Sequence, residues 1–208
     1  MDEARRIRDF WFGPLPMSAQ TLEERMRLWF GGKGASASQQ ERDATIRARF
    51  EPLIERAARG ELDAWAGSPR RRLSLILLLD QFPRNIYRGT ARAYAYDEQA
   101  LALTLSGMQS GADAALDPVE RLFFYMPLQH SESADVQEES VAAYRRLLHE
   151  APAELRNAFE EALRFAELHR AIIERFGRYP HRNQALGRAS TPEEEAYLQD
   201  ETALRFGQ

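Results

Sequence analysis

SPRRRLSLILLLDQFPRNIYRG, residues 68–89, carries the most telling pattern of apolar residues in the chain. Between Leu73 and Leu79 the only polar side chain is Ser74. A helix here is apolar around nearly its whole circumference and has to be enclosed by other helices. Ser68 suits the cap position and Pro69 the first helical position. Pro83 lacks an N–H and pushes its predecessor out of helical geometry, so the spacing predicts a helix that ends near Phe82. Asp80 then falls one turn after Ile76 and Leu77, on a buried face at the helix end, where the macrodipole disfavours negative charge. A lone carboxylate in that position is costly, so Asp80 needs a partner; Arg84 and Arg88 stand nearest in the sequence.

Outward from this stretch the hydrophobic period is helical throughout. Residues 2–12 place Ile7, Phe10 and Trp11 on one face, and 21–30 do the same with Leu22, Met26 and Trp29. GGKGASAS, residues 31–38, reads as a flexible loop; it lacks the Walker pattern of a phosphate cradle. Residues 39–59 form an amphipathic helix that Pro52 is expected to kink and Gly60 to stop. Asp97 is read as the cap of a helix that frays near Gly107 and Gly111, and Asp117-Pro118 opens another that Pro127 disturbs. Residues 134–150 and 153–176 make a helical pair expected to run antiparallel. In STPEEE, Thr191, Pro192 and Glu194 announce a final helix through a capping box. No convincing strand is found. The expected fold is all-α, one domain over residues 1–208, with about nine or ten helices.

Composition narrows the function classes. A net charge of −4 and no nucleic-acid motif argue against nucleic-acid binding. Lys33 is the only lysine, so the many arginines read as a general compositional habit rather than as phosphate recognition. The chain has no cysteine, which excludes disulfides, thiol nucleophiles and thiolate metal sites. No apolar run fits a signal peptide or a membrane span, so the expected location is the cytoplasm, without membrane association.

Three segments put polar groups where the period asks for apolar ones: 80–89 (DQFPRNIYRG), 123–132 (FFYMPLQHSE) and 176–183 (FGRYPHRN). If they meet, they line an inter-helical pocket for a small anionic ligand, a carboxylate or phosphate. Asp80, Gln81, Arg84, Asn85, Arg88, Arg178, Arg182 and Asn183 would bind it. His130 and His181, tuned by Asp80 or Glu132, are the candidate acid–base groups, with Glu132 the third catalytic candidate. The competing reading is a buried hydrogen-bond network that only fixes loops and helix register. His169, on an apolar stripe, reads as a satisfied core histidine. A metal site on Asp80, His130, Glu132 and His181 lacks paired-ligand spacing, and Ser131 has no nucleophile context, so no metal site is assigned and the cofactor is unknown. Arg70, Arg71 and Arg72 read as a solvated face.

Taken together, FWFG (10–13), LLLDQFPRNIYRGTARAYA (77–95), PLQHSE (127–132) and HRAIIERFGRYPHRNQALGRASTPEE (169–194) resemble the family of domain of unknown function 924. The resemblance implies an all-helical, tetratricopeptide-like fold and no particular reaction. It adds a second functional expectation, an adaptor that presents a concave peptide-binding surface to a protein partner. A clear 34-residue repeat is not visible, so such an array would be degenerate.

Overall fold

The computed structural model describes residues 2–30 and 37–200. The helices are α1 (Glu3–Phe12), α2 (Ala19–Phe30), α3 (Ala37–Ala58), α4 (Pro69–Ile76), α5 (Phe82–Ile86), α6 (Asp97–Gln109), α7 (Pro118–Phe124), α8 (Met126–His130), α9 (Ala134–Glu150), α10 (Arg156–Phe176) and α11 (Pro192–Gln199), joined by short 3-10 turns. No strand occurs among the described residues, so the all-α expectation holds. Residues 31–36 of the expected flexible loop lie outside the described residues.

The oily stretch forms the centre. Leu73 to Leu79 and Phe82 are all buried, enclosed by α1, α3, α6 and α7. Ser74 is accommodated because its hydroxyl donates to the Ala4 carbonyl at 2.8 Å. Ser68 occupies the expected N-cap position and Pro69 the first turn, although the serine hydroxyl makes no capping bond.

The rod does not stop at Pro83. A π-helical turn, Leu77–Gln81, joins α4 to α5, and the Phe82 N–H reaches back five residues to the Leu77 carbonyl. The wider turn accommodates the proline at the start of α5, where the missing N–H is least disruptive. Asp80 and Gln81 fall within this turn, and both are buried. Pro52 likewise lies within α3 without ending it.

The aromatic faces of α1 and α2 dock on this rod. The Trp11 ring lies 5.5 Å from Phe82 and 5.5 Å from Phe123, and Phe10 lies 5.2 Å from Phe50. α9 and α10 pack along their length as the expected pair, with Gly177 ending α10 in the left-handed conformation at φ 69°. The capping box of Thr191 with Glu194 forms as expected, and Asp117, expected to open its helix, also forms a box with Glu120.

Two expectations are corrected here. Asp97 is the first residue of α6 and makes no capping bond, because its carboxylate is occupied elsewhere. Gly107 is a point of close packing rather than of fraying: α6 runs on to Gln109, and a Cβ at Gly107 would stand 2.5 Å from Phe124 Cζ and 2.9 Å from Arg72 Cδ. Gly107→Ala should therefore destabilise the protein by about 1–3 kcal/mol through overpacking. A urea titration showing an unchanged midpoint would refute this close approach of α6 to Phe124.

Candidate functional site

Asp80 is completely buried. One carboxylate oxygen meets His130 Nδ1 at 2.6 Å and Arg84 Nη1 at 3.1 Å; the other accepts from Gln81 Nε2 at 2.5 Å. Burial alone would raise the Asp80 carboxyl, but the Arg84 charge, His130 and the Gln81 hydrogen bond outweigh it and hold the group below the ordinary carboxylate range. Asp80 is thus ionised, and His130 Nδ1 must be the donor, which leaves Nε2 as the basic nitrogen.

Arg84 links this acid to a second one. Its Nη1 and Nη2 grip Asp97 at 2.7 and 2.8 Å, and Nη1 also donates to the Asp80 carbonyl at 3.0 Å. Burial works against the Arg84 charge, but Asp80 and Asp97 more than offset it and shift the group upward. Arg182 Nη1 approaches Asp97 at 3.4 Å from the 180–182 turn. Its guanidinium lies 4.8 Å from the Tyr94 ring and 4.5 Å from the Tyr179 ring. Arg182 is 6% exposed, its Nε is buried without a hydrogen-bond partner, and burial and the Arg84 charge lower its pKa.

Three histidines border these charges. The ring centroids run from His130 to His169 at 6.3 Å, from His169 to Tyr179 at 5.7 Å and from Tyr179 to His181 at 5.5 Å. Burial lowers all three; Arg84 adds to this at His130 against the pull of Asp80, and Arg182 and Arg84 bring His181 to about 3. His169 also engages the Phe165 carbonyl at 2.8 Å through Nδ1. The cluster reaches solvent along Arg84, Asp97 and His130, whose side chains are partly exposed.

Asp80, Gln81, Arg84, His130, His181 and Arg182 therefore occupy one connected region. The other sequence candidates pair chiefly outside it, although Asn85 also donates to the Gln81 carbonyl at 2.8 Å. Arg88 pairs with Asp43 at 2.7 Å; it lies in the turn beyond the end of α5 at Ile86. Asn85 turns toward α3, where Arg42 Nη2 donates to it at 2.9 Å. Glu132 does not tune a histidine: it takes Arg188 at 2.7 and 3.0 Å and the Tyr179 N–H at 2.8 Å, and these bonds outweigh burial to lower its pKa. Arg178 and Asn183 both bond Glu194, at 2.6 to 3.2 Å, beside that network.

Sequence reasoning missed Asp97, Tyr94 and Tyr179 as members of the cluster. An Asp at a helix start reads as a cap, and an aromatic reads as core. Among the described residues no group of three or more His, Asp or Glu is arranged to hold a metal ion, and no helix is long and apolar enough to cross a membrane.

A model of the family described as "Bacterial protein of unknown function (DUF924)" matches residues 7–202. The chain is similar to the solved structure of a protein of unknown function from Agrobacterium tumefaciens. The two are 37% identical with a TM-score of 0.76, over 94% of this chain and 96% of that one. No curated protein matches it.

Arg84→Met leaves two carboxylates facing each other and should cost about 3–5 kcal/mol, as for a broken buried pair. Arg88→Met, whose pair with Asp43 lies at the surface, should cost less than about 1 kcal/mol. Equal midpoints for the two variants in chemical denaturation would contradict this assignment. Acid stability follows from the histidines. Their folded pKa values lie below the ordinary value of about 6.5, so the unfolded chain binds protons first. Stability should be full above about pH 6.5 and decline as pH falls toward about 3, with His181→Gln flattening the slope; melting temperatures measured from pH 7.5 to 4.5 check it.

Proposed function

The chain belongs to the DUF924 family, whose description assigns no reaction, and on the geometry of its polar cluster we propose that it binds a small anionic ligand, a carboxylate or phosphate, and moves a proton on it through His130. Asp80 fixes the His130 tautomer and orientation, leaving Nε2 to accept or return the proton. Because burial and Arg84 keep His130 neutral near pH 7, the base form is present without prior deprotonation. Arg182 supplies the anion contact and His181 polarity beside it. Asp97 and Arg84 act as positioning residues, the first shared between the two guanidiniums.

The observation that carries this reading is Arg182. Of the five N–H groups of its guanidinium, one makes a hydrogen bond among the described residues, at 3.4 Å, although the side chain is almost wholly buried. A planar fork with spare donors in the same cluster as an oriented imidazole suits an oxyanion. Placement in the cytoplasm belongs to the same proposal.

The test uses inorganic phosphate and malonate as probes at pH 7, read by thermal shift and by the His130 imidazole resonances. Saturable stabilisation with displacement of the His130 signals is expected, and Arg182→Gln should weaken it by about tenfold or more. Saturation that leaves His130 unmoved, or a variant that binds as well as wild type, would overturn the proposal. So would the absence of any shift with either probe.

A further inference from the structure

A concave feature lies between α1, α2 and α3, with no histidine in its lining. It is a cleft of about 230 Å³, and Phe10, Trp11, Arg25, Trp29, Glu41 and Arg42 are among its walls. Trp11 and Trp29 form an aromatic side, with ring centroids 6.2 Å apart and planes inclined by 18°. The Trp29 N–H is used, donating to the Trp11 carbonyl at 3.2 Å. The Trp11 N–H is not: it is buried and has no acceptor.

Arg42 repeats the pattern. Its side chain is 7% exposed and sits 5.8 Å from the Trp11 ring centroid. Nη1 donates to the Leu28 carbonyl and Nη2 to Asn85, while the buried Nε–H has no acceptor. Asp43 Oδ1 stands 3.8 Å from that Nε, beyond hydrogen-bond reach, and the other Asp43 oxygen serves Arg88. Arg25, half-buried, packs over the backbone at Gly13, where a Cβ would come within 2.7 Å of its Nη2. It makes no ion pair or hydrogen bond among the described residues.

Buried donors are nearly always matched, so two unmatched ones on residues that line the same small cleft, beside a guanidinium without an ion pair, form a set in search of an acceptor. A purely apolar occupant would leave all three wanting, and a cation would meet two arginines. The volume and the paired indoles suit a single flat ring. Glu41, the one acid in the lining, is exposed at the rim, where it can accept from a polar substituent.

We propose that this cleft binds a small aromatic carboxylate, its ring against Trp11 and Trp29 and its carboxylate accepting from Arg25 and from the spare N–H groups of Trp11 and Arg42. The proposal stands apart from the His130 site and does not depend on it.

Benzoate is the probe and benzamide its uncharged counterpart, added at pH 7 to ¹⁵N-labelled protein and followed by the indole N–H resonances and tryptophan fluorescence. Benzoate should move the Trp11 indole resonance saturably, leave Trp65 still and act at concentrations below about 10 mM. Benzamide should bind at least about tenfold more weakly, and Arg25→Gln should reduce benzoate affinity by a similar factor without changing the melting temperature. No saturable Trp11 shift by about 10 mM benzoate overturns the proposal, as does equal binding of benzamide or by Arg25→Gln. Displacement of the His130 resonances in place of Trp11 would put the carboxylate in the central cluster and overturn it too.

Discussion

A carboxylate with no solvent exposure sits in the middle of this protein, and the polar architecture around it follows from the need to keep it charged. Water cannot serve Asp80, so His130, Gln81 and Arg84 do. Arg84 then carries more positive charge than one half-shared acid needs and takes Asp97 from the start of α6; Asp97 in turn draws in Arg182 from the turn after α10. The result is an alternating row of charges that joins four parts of the chain far apart in sequence. Such rows add little to stability relative to apolar packing, and their effect is to fix geometry. Here the fixed geometry includes the tautomer of His130.

What the sequence made legible divides by range. Local chemistry was readable: Pro69, the Asp117 helix start, the Thr191 capping box and the Gly177 stop act within one turn of themselves, and each stands where its residue type indicates. The buried rod was readable because seven nearly all-apolar residues have no other home. Pro83 misled because the rule about helix ends assumes an i→i−4 ladder, and the π turn before it changes the register. That error carried into the site. With the helix taken to end at Phe82, Arg84 and Arg88 look equally placed to reach Asp80, whereas the continuous rod puts Arg84 one turn from Asp80 and ends at Ile86, before Arg88. Asp97 was hidden for another reason: at a helix start, an acid that caps and an acid that waits for a distant arginine are the same letter. Gly107 reads as a break until Phe124 is seen lying against its Cα.

Two polar networks meet at the 176–194 segment, and the contrast between them bears on what each is for. In one, Arg188 uses Nε, Nη1 and Nη2 on Asn183, Glu132 and the Tyr179 carbonyl, while Arg178 holds both oxygens of Glu194 and the Ala189 carbonyl. Each guanidinium is engaged from several sides, and Glu194, held by Arg178 first and by the Thr191 N–H and Asn183 besides, is lowered to about 2. That is how a scaffold closes a turn: every group that orders the chain finds its partner within it. Arg182, one residue from Asn183, has the same chemistry available and a more buried position, yet makes a single long bond to Asp97. Its neighbours could not be closer in sequence, so composition does not explain the difference; placement between the Tyr94 and Tyr179 rings does, because aromatic faces hold a guanidinium in position without consuming its N–H groups. The Arg182 cation is thus steadied by ring faces and keeps open donors, in the same cluster in which a buried acid orients the His130 imidazole.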